Sequence, residues 1–233
     1  MFKRISAIST LIICAPGAVA QHGLGSALQR IDRNGLCVTN GTVSALPSGR
    51  LAIETPSSRA VLRAATEKAG DQVAEIRFRY LGPTQTSKPL ASGELRRQIG
   101  LKLRAEDTCN LVYAMWHIAP DASVAVSIKR NVGMHTHEQC GAGGYVNIKA
   151  QRRMDVPLIR PGETRTLRAE LHGNDLTLAV DGKAVWQGAL GNEVSSLNGP
   201  AGFRTDNARF EFEYYADRPA KSRAGNCAMS EGD

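Results

Sequence analysis

Val73-Ala74-Glu75-Ile76-Arg77-Phe78-Arg79-Tyr80 is the stretch on which the fold turns. Successive side chains of an extended chain point to opposite faces, so Ala74, Ile76, Phe78 and Tyr80 share one side. Glu75, Arg77 and Arg79 share the other. A helical period would bury those charges, so the reading is a half-buried strand. The same alternation recurs five times. Ile99, Leu101 and Leu103 stand against Gln98, Lys102 and Arg104, and Val124, Val126 and Ile128 against Ser127 and Lys129. Leu167, Ala169 and Leu171 alternate with Thr166, Arg168 and Glu170, and Leu176, Leu178 and Val180 follow. Phe210, Phe212 and Tyr214 close the series against Arg209, Glu211 and Glu213. Runs that are apolar on one side only predict antiparallel sheets packed face to face, an all-β fold.

Turn signals separate the runs. His172-Gly173-Asn174-Asp175 and Asp181-Gly182-Lys183 read as consecutive hairpin turns, because Gly and Asn accept positive φ there. Thr84 to Gly93 and Gly141 to Gly144 read as loops, and Leu24 to Arg33 as a short helix before the sandwich. The expected layout is one domain over residues 45–216, an N-terminal segment 21–44 and a polar tail 217–233.

Residues 1–20 read as a secretory signal peptide. Lys3 and Arg4 give the positive start, Ile5 to Cys14 an apolar stretch too short to span a bilayer, and Ala18-Val19-Ala20 the small residues of a cleavage site. Export to the periplasm or the medium is therefore expected, without stable insertion into the membrane. Of the five cysteines, Cys37, Cys109, Cys140 and Cys227 lie beyond this segment, and an even number in an exported chain predicts two disulfides. Three connectivities are open, and Cys109–Cys140 with Cys37–Cys227 is preferred, the second tying the tail to the start of the domain. The formal net charge of +7, which becomes +5 without Lys3 and Arg4 of the signal segment, favours acidic glycans or anionic surfaces over nucleic acid once the chain is outside the cell.

The last third carries a resemblance. Thr166-Leu167-Arg168-Ala169-Glu170-Leu171, Gly173-Asn174, Val180-Asp181-Gly182-Lys183 and Trp186 are followed by Gly199-Pro200-Ala201-Gly202-Phe203-Arg204-Thr205-Asp206 and Ala208-Arg209-Phe210-Glu211-Phe212. This pattern resembles the concanavalin A-like jelly-roll superfamily, with its laminin-G-like and glycan-degrading-like modules. The resemblance implies an antiparallel two-sheet jelly-roll sandwich. It implies no single activity, because that sandwich hosts lectins, glucanases, lyases and adhesion modules.

Several strings bear on chemistry. The E-x-D-x-x-E run of glucanases in the superfamily is absent, and Glu211-Phe212-Glu213 reads as a solvated face. Alginate lyases of this fold carry R-x-E-L-R, Q-I-H and K-A-G-x-Y-x-Q strands. Glu94-Leu95-Arg96, Gln98-Ile99-Gly100 and Gly141-Ala142-Gly143-Gly144-Tyr145 are partial counterparts, with Ser92 and Gly100 where an Arg and a His would stand. A lyase site is also conceivable from His117 and Tyr113 as proton carriers, with Arg96, Arg97 and Lys129 offsetting a uronate charge. Met134-His135-Thr136-His137-Glu138 places two histidines on one side of an extended segment, yet three ligands fall short of a structural zinc site. No metal or other cofactor is expected.

The expected function is recognition of carbohydrate, in particular of acidic polysaccharide. Arg77, Arg79, Lys102, Arg104 and Lys129 take the polar sides of their runs and would form a basic strip if the strands share a sheet. Arg96 would face the same groove, and Tyr113, Trp116 and Tyr145 would stack on sugar rings. Arg pairs bidentately with carboxylate or sulfate, which suits such a ligand. The alternatives are a lyase-like enzyme and a structural or protein-binding module of the cell envelope.

Overall fold

A computed structural model of the protein describes residues 28–63, 70–217 and 227. The expected signal peptide and most of the polar tail lie outside these residues, as does the first part of the expected helix. From Gln29 onward the chain is extended instead. Sixteen strands follow in order, beginning with β1 (Gln29–Ile31), β2 (Leu36–Asn40), β3 (Ser44–Ala45), β4 (Leu51–Ile53) and β5 (Ser57–Leu62). Next come β6 (Gln72–Pro83), β7 (Arg97–Leu103), β8 (Leu111–Ala119) and β9 (Ser123–Lys129). One helical turn, α1 (His137–Cys140), precedes β10 (Tyr145–Asn147), β11 (Arg152–Arg153) and β12 (Thr164–His172). The series ends with β13 (Asp175–Val180), β14 (Lys183–Ala189), β15 (Gly202–Asp206) and β16 (Ala208–Ala216). Among the described residues no helix is long and apolar enough to cross a membrane.

The strands form two antiparallel sheets. One runs β11-β14-β13-β12-β6-β16-β4-β3, with β1 also paired to β16; the other runs β10-β9-β8-β7-β15-β5-β2. Neighbours in space are often distant in sequence. β6 lies between β12 and β16, and β15 lies between β7 and β5. The two hairpins read from the sequence are present: His172 pairs with Asp175 around Gly173, whose φ is 56°, and Val180 pairs with Lys183. Residues 29–44 differ from expectation, because β1 pairs with β16 and β2 with β5. Strands of three and five residues are too short for a period to register, so only pairing reveals them.

The apolar sides meet between the sheets. Phe78 of β6 stands edge-on to Trp116 of β8, with ring centres 5.7 Å apart, and to Phe210 of β16 at 5.5 Å. Phe203 of β15 meets Phe212 and Tyr214 in the same manner at 5.1 and 5.5 Å. Edge-to-face contacts add to the burial term. Cys37–Cys227 and Cys109–Cys140 are both bonded, the second joining the turn before β8 to α1.

Replacing Phe78 with Ala removes the ring that both sheets share. We expect a loss of about 3–5 kcal/mol in urea unfolding, the range for a buried aromatic truncated to Ala. A loss below about 1 kcal/mol would show that the aromatic contact is not what joins the layers.

Candidate functional site

The two outer faces differ. On the nine-stranded sheet the polar side chains pair with one another in a ladder. Arg77 Nε donates to Glu75 at 2.6 Å and its guanidinium lies 4.4 Å above the Tyr215 ring. Arg168 bridges Glu75 and Glu170, Arg30 meets Glu213, and Arg50 meets Glu211. Arg79 donates to the Gly162 carbonyl. Cation and carboxylate alternate here, leaving no block of one sign.

The outer face of the seven-stranded sheet is partly roofed, and its polar side chains are sunk. The register sets them in rows across the strands. One row holds Ser57, Asp206, Gln98, His117 and Ser123. The next holds Arg59, Arg204, Gly100, Met115 and Ala125. A third holds Val61, Gly202, Lys102, Tyr113, Ser127 and Asn147, and Lys129 pairs with Tyr145 beyond it. Glycine and other small residues beside long cations leave hollows. A Cβ on Gly100 would lie 2.4 Å from Met115 Sδ and 2.6 Å from the Ala114 carbonyl, so this depth requires glycine.

Two loops wall the face. On one side Asn207, held at φ 55°, accepts from Lys88 N at 2.7 Å and donates to the carbonyls of Lys88 and Arg96. On the other, Lys129 Nζ donates to the carbonyls of Thr108 and Gly141 at 3.1 and 2.9 Å, and the Cys109–Cys140 disulfide anchors α1 nearby. The open groove has two parts of about 690 and 280 Å³, which share Tyr113, Tyr145 and Arg204 in their linings.

At their junction, Arg204 Nε donates to Asp206 Oδ2 at 2.7 Å and Nη2 to Oδ1 at 3.3 Å. Its guanidinium stands 5.3 Å from the centre of the Tyr113 ring, Tyr113 stacks on Tyr145 at 6.0 Å, and Lys129 Nζ lies 5.3 Å from the Tyr145 ring. Burial works against the Arg204 charge, but Asp206 and then Tyr113 outweigh it, and the pKa is raised. Burial pushes the Tyr145 phenol up to about 12, with Tyr113 adding to the effect. The result is a fixed cation over stacked rings, suited to an anionic partner with a flat apolar side.

His117 sits at the far end of the larger part. Arg96 Nη1 is 3.2 Å from Nε2, and Ser123 Oγ is 3.2 Å from Nδ1. A guanidinium only donates, so Nε2 accepts and Nδ1 carries the proton. Burial, then Arg96 and Arg153, lower its pKa to about 4. With its lone pair engaged, this imidazole is a weak base.

The expected basic strip is therefore divided. Lys102, Lys129, Arg96, Tyr113, Tyr145 and His117 line the groove. Arg77 and Arg79 lie on the opposite sheet, because β6 pairs with β12 and β16. Arg104, at φ 45°, turns inward and donates to the carbonyls of Val194 and Gly173, a bracing role. Trp116 is fully buried against Phe78 and cannot stack on a ligand. The two-histidine segment is a turn leading into α1 instead of a strand. His135 meets Asp107 at 2.7 Å, while His137 lines the smaller part of the groove. Arg59, Arg204, Asp206 and Gln98 were missed. The alternations Gln98-Gly100-Lys102 and Gly202-Arg204-Asp206 carried the signal: glycine within a polar strand side marks a close approach.

No protein family and no curated protein matches the sequence. Solved structures do resemble the fold. A carbohydrate-binding module, CBM66 from Bacillus subtilis, superposes with a TM-score of 0.53 at 16% identity, over 76% of this chain and 91% of that one. The Emp46p carbohydrate recognition domain in its metal-free form gives 0.50 at 13%, over 78% and 88%.

The His117 environment gives stability a pH dependence of known sign. Unfolding returns the imidazole to its ordinary value near 6.5, so between there and about 4 the unfolded chain binds the extra proton. Stability is full above this window and falls as the pH is lowered through it. Melting temperatures taken from pH 7 to 4.5 should fall more steeply for the native protein than for His117→Asn; parallel curves would refute the buried neutral imidazole. The likeness in fold and the two antiparallel sheets together show a jelly-roll sandwich of the concanavalin A-like type as the fold.

Proposed function

We propose that the protein binds acidic polysaccharide outside the cytoplasm, in the groove on the seven-stranded sheet. One observation carries this reading: Arg204, fixed by Asp206 over the stacked Tyr113 and Tyr145, with Lys129 at the far side of the stack. The guanidinium and ammonium groups suit carboxylate or sulfate, and tyrosine faces suit the apolar side of a sugar ring. Lys102 and Arg59 add charge on adjacent strands. Two structures of similar fold are a carbohydrate-binding module and a carbohydrate recognition domain, which supports carbohydrate as the ligand class. Two disulfides and an N-terminal segment with signal-peptide character support export.

Binding without turnover is the expected behaviour. Abstraction of a proton beside a carboxylate needs a base, and of the expected proton carriers, His117 and Tyr113, the first has its lone pair engaged by Arg96.

The test is calorimetric titration of the processed protein with a polyuronate, alongside a neutral glucan. Affinity for the polyuronate should fall as salt rises, because screening weakens charge pairing. Lys102→Met should weaken it about tenfold or more, the worth of a charge-assisted hydrogen bond. Arg77→Ala, on the opposite sheet, should leave it unchanged. Equal affinity for the neutral glucan would overturn the acidic ligand, and a rise in unsaturated-uronate absorbance would replace binding by lyase action.

A further inference from the structure

Gln98 of β7 is 3 % exposed and lines the larger part of the groove. Its Nε2 donates to Asp206 Oδ2 at 2.6 Å. Arg204 Nε donates to the same oxygen, and a carboxylate paired with a guanidinium only accepts, so the amide nitrogen is fixed toward β15. Oε1 is the other end of that amide, and it has no hydrogen-bond partner among the described residues. Trp116 Nε1 and Tyr214 Oη share that state, but of the residues with such an atom only Gln98 lines the groove. His117, opposite Gln98 on β8, is engaged on both ring nitrogens by Arg96 and Ser123 and has no donor to spare. A buried acceptor without a partner is costly, so a donor carried in by a ligand gains more here than at a solvated carbonyl.

An apolar surface adjoins this acceptor. Met115 stands diagonally across the β7–β8 pair from Gln98, and such neighbours are about 7–8 Å apart, within reach of long side chains. The Met115 side chain fills the space beside Gly100. With Tyr113, Val61 and Leu111 it belongs to an apolar cluster on the outer side of the sheet, separate from the main core. Ala125 lies opposite Met115 on β9, with Ser123 and Ser127 on the same side of that strand. Short side chains there leave a hollow next to the methionine. Of the cations in the lining, Arg96 is paired with Glu94 and Arg204 with Asp206. The hollow thus sets one unmatched acceptor beside a patch of carbon and sulfur.

We infer that the larger part of the groove binds the acetamido group of an N-acetylated sugar, whose N–H donates to Gln98 Oε1 while its methyl lies against Met115 and Ala125. Met115, flexible about three bonds, shifts to admit the group. A hydroxyl would bring the donor without the methyl, and an O-acetyl ester the methyl without the donor. The inference rests on the polysaccharide reading and narrows it: the acidic glycan is a copolymer of uronate with N-acetylhexosamine, not a polyuronate.

Three oligosaccharides of equal length test this by calorimetric titration of the processed protein: alternating glucuronate and N-acetylglucosamine, its analogue with glucose in place of N-acetylglucosamine, and a neutral oligomer of N-acetylglucosamine. The first should bind about tenfold or more tightly than the glucose analogue, because the analogue leaves Gln98 Oε1 and the hollow unmatched. Gln98→Met, which removes the acceptor, and Ala125→Leu, which fills the hollow, should each bring that ratio toward one, with melting curves confirming that the variants fold. If the glucose analogue binds as tightly as the acetamido oligomer, acetamido recognition is overturned and the acidic-polysaccharide reading survives. A preference that persists undiminished in both folded variants overturns the inference as well. If the neutral oligomer matches the mixed one, the acidic ligand falls while acetamido recognition stands. If none of the three binds, both readings fall together.

Discussion

The contact of Phe78 with Trp116 and Phe210 is the constraint on which the rest of the molecule depends. It joins β6 to its sheet neighbour β16 and, across the gap between the sheets, to β8. Because side chains alternate, closing one side of a strand leaves the opposite side outward at every second residue. The identity of each outer face follows from that single closure.

Those outer faces are treated in opposite ways. On the nine-stranded sheet Glu75, Glu170, Glu211 and Glu213 answer Arg77, Arg168, Arg50 and Arg30, so charge is balanced locally. The partly exposed pairs of Arg30, Arg50 and Arg168 with Glu213, Glu211 and Glu170 contribute about 0–1 kcal/mol each, while Glu75 is buried between Arg77 and Arg168. On the seven-stranded sheet, Lys102, Lys129 and Arg204 are drawn below the surface, and among the described residues Lys129 donates to the carbonyls of Thr108 and Gly141 and Arg204 to Asp206. Sinking cations in this manner costs desolvation, which such partners offset.

The walls depend on polar side chains in turns. Asn207 at positive φ, Lys129 on two carbonyls and Asn131 on the carbonyls of Cys109 and Gly143 hold the loops over the sheet. Cys109–Cys140 fixes α1 in the same place. Strand geometry sets the floor of the groove, and side chain to backbone bonds from a few loop residues set its height.

The sandwich was legible in the sequence because its signal is local. Alternation over six to eight residues in β6, β7 and β12, and Gly at the hairpin turns, need no knowledge of partners. Of the three disulfide connectivities the sequence left open, the preferred one is formed. Very short strands such as β1 and β3 left no period to read. The groove was legible only in part: Lys102, Lys129, Tyr113 and Tyr145 line it as expected, while Arg77, Arg79, Arg104 and Trp116 fall elsewhere. Alternation says that two residues lie on opposite sides of a strand, but it is silent on which sheet that strand joins. The sequence alone thus determined the strands, their oily sides and the layered class. Tertiary structure alone decided that Arg59, Arg204 and Lys102 share one hollow, since register between distant strands is set by the closing of the whole sheet.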